Sequence, residues 1–512
     1  MSTPAEHPND DSGHYLALKA RDARFDGRFF TGVTSTGIYC RPVCKVRTPK
    51  QENCRFFALA SQAEAAGFRP CMRCRPELAP SAIAASQGAH WSVQDASAIL
   101  ARQAAQLLDT TQQWTETTPS MGQVAERLGV SERHMRRIFE THWGVSPLQY
   151  LQTRRLLIAK QLLTDTQLPV TQVAMLSGFD SVRRFNTVFA AQYRLQPRAL
   201  RKTAGAPNPN SSLQLKAAYR PPLDSSALLQ FFATRSLAGV ELVNVAQRSL
   251  ARTLALDWAG TQHTGWVQLH IDEARCEVRV QISESLAQAL PLVMARVRAL
   301  LDLDADPNAI HAVLHTSFPH SAGLRVPGTL DGFELAVRAV LGQQITVQAA
   351  RTLGARLVQR FGVALATPIA ELTHLFPTPH ALRHASDNDL GELGIVRQRQ
   401  QAIRVLSTAV ADGELHLNPS ADVTRTVSAL EALPGFGPWT AQYISMRALR
   451  WPDAFPAGDV ALQKALGVRD AKHPAQAARA AELASHAWQP WRSYATVRAW
   501  SGDHADDSPS TA

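Results

Sequence analysis

Cysteine is scarce in this chain, at 6 of 512 residues, and five of the six lie between positions 40 and 74, with only Cys276 beyond. A disulfide framework spread along a secreted chain is thereby excluded, and a tight cysteine cluster in a reducing compartment points to metal instead. Long apolar runs are missing too. No stretch approaches the ~18 uninterrupted apolar residues of a membrane-crossing helix, so no membrane span is expected. The opening MSTPAEHPNDDSGH is polar and acidic, without the basic, apolar and small-residue order of a signal peptide, and a cytoplasmic protein is the expectation.

Acidic residues are the minority, 43 Asp/Glu against 53 Lys/Arg, and the imbalance is local. Residues 12–80 hold 12 basic and 5 acidic side chains and residues 119–203 hold 13 and 5, whereas everything from 204 onward balances at 27 and 27. A polyanion is therefore expected to dock on the first two fifths of the chain. A hydrophobic fraction of 45% supports packed domains, and at ~100–200 residues per domain the length accommodates about three to five of them.

Cys40-x3-Cys44 and Cys71-x2-Cys74 form two close pairs separated by a folded loop, the spacing of a tetrahedral zinc site. Spacing alone favours a purely structural zinc knot, although a zinc-bound thiolate also stays nucleophilic. Cys54 lies outside the quartet and reads as an ordinary thiol. Further on, MGQVAERLGVSERHMRRIF has the Ala125-x3-Gly129 spacing of a helix-turn-helix, with a second helix from about Ser131 presenting Arg133, His134, Arg136 and Arg137. The spacing recurs 49 residues later as Ala174-x3-Gly178, followed by Ser181, Arg183, Arg184 and Asn186, and a helix around Leu148–Leu163 links the copies. The segment AGAPNPNSS has the composition of a linker, and alternation in Trp266–Ile271 and Cys276–Ile282 predicts antiparallel strands. From about Leu286 to Trp500 the pattern is helical.

In LPGFGPWTA, residues 433–441, Gly435 and Gly437 free a tight turn between two helices, so that backbone N–H groups approach a phosphate. FPAGD then ends in Asp459 at the start of another helix. An Asp there is a common helix N-cap, and a cap and a catalytic carboxylate are compatible roles.

The strings RFDGRFFTGVTSTGIYCRPVC and FRPCMRCRP resemble the methylphosphotriester-repair domain of the Ada family over residues 15–78. The resemblance implies one Zn²⁺ held by Cys40, Cys44, Cys71 and Cys74, with Cys40 taking a methyl group irreversibly from a DNA backbone phosphotriester. The helix-turn-helix pair, including VAMLSGFDSVRRFNTVFAAQYRLQPRALRK, resembles the AraC-type DNA-binding domain. Its recognition helices enter successive major-groove segments, where Arg136, Arg137, Arg183, Arg184 and Asn186 would contact bases or phosphates. FELAVRAVLGQQITVQAA, LPGFGPWTAQYISMRAL and WQPWRSYATVRAW resemble the AlkA-type 3-methyladenine DNA glycosylases of the helix-hairpin-helix superfamily, over about residues 213–502. Carried over by motif, Asp459 is the catalytic carboxylate, and Trp439, Tyr443 and Trp500 line the base pocket.

Four features bound these likenesses. Trp439 stands where bifunctional relatives place a lysine, so simple hydrolysis is favoured over a Schiff-base lyase. The late cysteines of iron–sulfur relatives are absent, as is the Pro-Cys-His-Arg string of O6-methylguanine repair. After Gly342-Gln343, where relatives carry an aliphatic wedge, the matching position is Gln344 or Ile345.

The expected architecture is multidomain and mainly α with α+β parts. It comprises a disordered lead (1–11), an Ada-like zinc methyl-acceptor domain (12–80), a helical connector (81–118), an AraC-type DNA-binding domain (119–203) and a linker (204–212). An AlkA N-terminal-like α+β domain (213–300), a helix-hairpin-helix glycosylase domain (301–505) and a disordered tail (506–512) follow. The expected activity is hydrolytic excision of alkylated bases joined to a suicidal methyl acceptor and transcription regulator, with no cofactor for the excision step. The expected partners are damaged and operator double-stranded DNA, with RNA polymerase as a further one, for a monomer at the bacterial nucleoid. The rival reading is a methylation-sensing activator whose glycosylase half is only a DNA-binding platform.

Overall fold

The computed structural model describes residues 11–81, 96–114, 120–200, 212–258 and 260–502. The chain forms two compact units: residues 1–221 with 274–278 and 303–305, and residues 222–273, 279–302 and 306–512.

The first unit begins with α1 (Asp11–Ala20), so Asp11 of the expected lead is helical, while residues 1–10 lie outside the described residues. Four short strands follow, β1 (Phe30–Val33), β2 (Ile38–Cys40), β3 (Cys54–Phe57) and β4 (Arg69–Pro70), in the order β3-β1-β2-β4. The helix α2 (Ala60–Ala65) lies between β3 and β4 in sequence. β1 runs antiparallel to β2 and β3, and β2 runs parallel to β4 with Tyr39 opposite Pro70. Phe30, Tyr39, Ala63 and Phe68 form the small core. Gly32 is demanded by it, because a Cβ there would sit 2.9 Å from the rings of both Phe57 and Phe68.

The described part of the connector is one helix, α3 (Ala96–Trp114). Beyond it lie α4 (Met121–Arg127), α5 (Glu132–Trp143), α6 (Pro147–Asp165), α7 (Val170–Leu176) and α8 (Val182–Tyr193). Serines punctuate them: Ser120, Ser131, Ser146 and Ser181 each accept a backbone N–H at a helix start, and Pro147 follows Ser146 at the first helical position. Ala125 and Ala174 are buried, and Gly129 and Gly178 turn the chain at φ 67° and 81°. The second turn carries one extra residue, Asp180, so the copies are offset by 49 positions at the alanines and by 50 at the recognition helices. The expected linker lies outside the described residues except for Ser212, which opens strand β5 (Ser212–Ala218).

The second unit opens with α9 (Ser225–Ala233) and the strands β6 (Glu241–Asn244), β7 (Ser249–Trp258) and β8 (Thr261–Asp272), antiparallel neighbours, and from Arg279 it includes the rest of β9 (Glu277–Ser283), which lies beside β8. The helices α10 (Leu290–Leu300), α11 (Pro307–Leu314), α12 (Gly332–Leu341), α13 (Val347–Phe361), α14 (Pro379–Arg383), α15 (Asp387–Glu392) and α16 (Arg397–Ala411) come next. They are followed by α17 (Val423–Glu431), α18 (Pro438–Arg447), α19 (Val460–Ala465), α20 (Pro474–Ala484) and α21 (Arg492–Trp500). A core around Val337, Val340, Leu357, Ile403, Leu406, Leu430 and Ile444 holds α12, α13, α16, α17 and α18 together. Ion pairs from the buried Arg252 and the half-buried Arg338 to Glu241 and Glu334 join the sheet to α12. No described helix is long and apolar enough to cross a membrane.

Candidate active site and metal centre

The parallel pairing of β2 with β4 builds the metal centre. Cys40 ends β2, the Cys71 N–H donates to the Tyr39 carbonyl at 3.0 Å, and the two cysteine pairs are thereby brought side by side. The thiol sulfurs of Cys40, Cys44, Cys71 and Cys74 all lie within 4.8 Å of one another. That spacing fits four ligands around Zn²⁺, for which Zn–S bonds of ~2.3 Å place the sulfurs ~3.8 Å apart. Backbone N–H groups of Arg41 and Arg73 donate to Cys74 Sγ and Cys71 Sγ at 3.3 and 3.4 Å, the outer hydrogen bonds that orient thiolate ligands. Cys54 sits apart on β3, with its thiol on the Lys50 carbonyl at 3.3 Å.

On the recognition helices, Met135, Ile138 and Phe139 of α5 and Phe185 and Phe189 of α8 face inward. Arg133, Arg136, Arg137, Arg183 and Arg184 are exposed, while Asn186 is half-buried. Arg136 is paired with Glu132 at 3.0 Å, and Arg137 lies 3.1 Å from His134 Nδ1.

In the second unit, Gly435 turns the hairpin between α17 and α18 at φ 86°, where a Cβ would also lie 2.8 Å from Ala402 Cβ. Gly437 differs: its φ is −108°, and nothing lies within 4 Å of where its Cβ would be. Its missing side chain is thus not required by the fold and leaves the N-terminus of α18 uncovered. Gln343, just past α12, holds the hairpin from below, donating from Nε2 to the Gly435 carbonyl and to Thr440 Oγ1, each at 3.0 Å.

Asp459 caps α19, accepting the Leu462 N–H on Oδ1 at 2.8 Å. The same oxygen accepts Trp500 Nε1 at 3.0 Å, and Oδ2 accepts Trp439 Nε1 at 2.9 Å. A carboxylate offers about four lone-pair sites, so three are taken and one, on Oδ2, is left for a further group. Trp439 and Tyr443 stack at 5.3 Å and 15°, and the Trp500 ring lies 6.4 Å from Tyr443. The structure therefore brings Asp459, Trp439, Tyr443 and Trp500 into one cluster.

Four family models match the chain: the metal binding domain of Ada over residues 14–77, a helix-turn-helix domain over 124–203, the AlkA N-terminal domain over 212–331, and the HhH-GPD superfamily base excision DNA repair protein over 337–492. A probable bifunctional transcriptional activator/DNA repair enzyme AlkA of Mycobacterium tuberculosis is 36% identical over 499 residues, covering 95% of each chain. The chain belongs to this bifunctional AlkA family. DNA-3-methyladenine glycosylase 2 of Escherichia coli is 34% identical over 282 residues, 55% of this chain and 95% of its own. The bifunctional transcriptional activator/DNA repair enzyme Ada of the same organism is 32% identical over 169 residues, 33% of this chain and 43% of its own.

The structure also places at the cluster side chains that sequence reasoning missed. Phe231 of α9 lies nearly parallel to Trp500, at 6.5 Å and 16°. The Arg235 and Arg447 guanidinium carbons stand 3.7 and 4.8 Å from its ring centre. Arg447 is buried, donates to the Pro327 and Gly328 carbonyls at 2.8 and 3.1 Å, and also donates to the Tyr443 hydroxyl. The flanking Arg447 and Arg235 charges outweigh burial and hold the Tyr443 phenol below its ordinary pKa. The signal for Arg447 was present, since Trp439, Tyr443 and Arg447 recur every four residues and share a helix face. Phe231 gave none, because LLQFFAT reads as core. Of the two wedge candidates, Ile345 packs on the hydrophobic core, while Gln344 is exposed at φ 56°.

Proposed function

We propose that this protein hydrolyses the glycosidic bond of alkylated bases in double-stranded DNA, of the 3-methyladenine and 7-methylguanine class. Its first unit would accept methyl groups from backbone phosphotriesters and regulate transcription. The observation carrying the glycosylase reading is the Asp459 carboxylate clamped by the indole N–H groups of Trp439 and Trp500, with the Tyr443 ring beside it. An alkylated purine is cationic, so aromatic faces attract it by ~0.5–2 kcal/mol once it leaves the stack. Breaking its bond leaves an oxocarbenium-like sugar. The two indoles fix the carboxylate before that charge develops, so little reorganisation is needed when it does. The remaining lone pair of Oδ2 faces the sugar or orients the attacking water. Trp439 supplies no amine for a Schiff base, which supports hydrolysis alone.

The exposed Gln344, on a left-handed backbone, supports its assignment as the residue that fills the gap left by the flipped base. Exposed Arg136, Arg137, Arg183 and Arg184, with the half-buried Asn186, support a DNA-reading role for α5 and α8. The four-cysteine centre, with Cys40 as methyl acceptor, supports a signal that this surface would report. On this reading the protein acts as a monomer at the bacterial nucleoid and engages RNA polymerase from its operator. Incubating methylated duplex with wild type and Asp459→Asn, and measuring free base released, tests the central claim. Release by both at equal rates would overturn it.

A further inference from the structure

The short helix α2 of the cysteine module meets the ends of both recognition helices. Gln62 Nε2 donates at 2.8 Å to the carbonyl of Trp143, the last residue of α5. Two positions on, Glu64 accepts the hydroxyl of Tyr193, the last residue of α8, at 3.4 Å. The Glu64 main-chain carbonyl accepts Gln192 Nε2 at 3.3 Å. Trp143 and Tyr193 hold the same place in the two copies, each followed by a left-handed residue, Gly144 at φ 66° and Arg194 at φ 54°.

The Glu64 carboxyl also accepts Thr153 Oγ1 of α6 at 2.8 Å and Tyr39 Oη at 3.0 Å, and Tyr39 directly precedes Cys40. Two further ties bind α6 to the segment after Cys74. Arg75 grips Asp165 with two bonds of 2.6 and 2.8 Å, and the buried Lys160 donates to Glu77 at 2.6 Å. Glu64 is only 6% exposed. Burying a carboxyl is costly unless it is fully bonded, and an aliphatic residue at this place would fill the core without that cost. What the carboxyl adds is direction, because it admits hydroxyls from β2, α6 and α8 at fixed angles.

We propose that Gln62 and Glu64 are positioning residues for DNA reading, and that α2 is a common mount setting the distance and angle between the two recognition helices. DNA is then read as two segments at one spacing. This rests on the reading of α5 and α8 as the DNA-facing helices. Burial pushes the Glu64 carboxyl up to about 8, in keeping with a hydrogen-bonding hub rather than a charge.

The test uses the full-length, zinc-loaded protein and the tightest duplex it selects from a random-sequence library. A second duplex carries an insertion of about half a helical turn, ~5 base pairs, between the two contacted segments. Wild type should lose about tenfold or more in affinity on the insertion. The double variant Gln62→Ala/Glu64→Leu should bind the original duplex about tenfold more weakly and respond little to the insertion, with zinc content unchanged. Glu64→Gln should restore both properties. If the double variant does not fold, Thr153→Val and Tyr193→Phe each remove one hydroxyl from the hub and are read on the same duplexes. Binding of both duplexes as in wild type would overturn the mount. Should Arg136→Ala and Arg183→Ala leave binding intact, the DNA-facing reading and the mount fall together. Should those variants weaken binding while wild type tolerates the insertion, the mount alone fails.

Discussion

Trp500 Nε1 donates to Asp459 Oδ1 at 3.0 Å, joining the end of α21 to the start of α19 across 41 residues. Asp459 thereby serves as a helix cap and as the anchor of a pocket wall at once. The cap places the carboxylate, and the indoles of Trp439 and Trp500 fix its rotation. A group held by three N–H donors is preorganised for a cation that appears only during reaction.

Asp459→Asn should lower release of 3-methyladenine by ~10²–10³-fold. Asn caps helices about as well as Asp, but its amide N–H would face the Trp439 indole N–H where Oδ2 now accepts it, so the melting temperature should fall modestly while duplex affinity stays near wild type. Single-turnover assays beside a thermal melt separate the two effects. Excision within a few-fold of wild type would remove Asp459 from the catalytic role.

Borohydride should trap no covalent protein–DNA adduct during turnover, because Trp439 occupies the position where a lyase needs an amine. Denaturing electrophoresis of a labelled duplex reads this directly. A stable adduct would point to another amine in the site.

One zinc per chain is expected, and Cys54→Ser should leave it in place while Cys44→Ser removes it. Elemental analysis of the purified variants decides this. Metal lost from Cys54→Ser would require a different ligand set.

Methylating Cys40 should tighten binding to operator DNA. Four thiolates around Zn²⁺ carry about −2, and a thioether at one position leaves about −1. Less repulsion then acts on phosphates beside Lys45, Arg47, Arg69 and Arg73, and the gain should shrink with salt. Affinity is measured at fixed salt before and after exposure to methylphosphotriester DNA. Equal values, with mass spectrometry placing the methyl group on Cys40, would exclude the switch.

Glu64 should make the first unit less stable as pH rises. Burial lifts its carboxyl from 4.5 to about 8, so between those values the folded state keeps a proton that the unfolded chain has released. Its contribution is complete below pH 4.5 and is lost as pH climbs through 8. Thermal melts of wild type and Glu64→Gln across this window should diverge, with the variant flatter. Parallel curves would mean that Glu64 is ionised in the fold.

Much of the architecture was legible because it is written in local chemistry. Serines before helices, Ala125 and Ala174 at helix crossings, and Gly129, Gly178 and Gly435 in left-handed turns each act within a few residues of themselves. The extra Asp180 in the second turn was also visible, but the 49-residue offset of the alanines hid the 50-residue offset of the helices behind it. Gly435 and Gly437 look equivalent in sequence, yet only Gly435 is sterically required, and the neighbour that makes it so, Ala402, is remote in the chain.

By itself, then, the sequence determined the two cysteine pairs, the duplicated helix-turn-helix, the hairpin, and the aspartate that opens α19. These follow from spacing, capping and backbone freedom, which depend on neighbours a turn or less away. Tertiary structure alone decided that β2 pairs with β4 to close the quartet, that Phe231 joins the aromatic cluster, and that Glu64 gathers hydroxyls from three elements. Those contacts span long stretches of chain. They exist because burying the apolar faces of whole elements brings distant polar groups together, where each must find a partner or remain unpaired in the core.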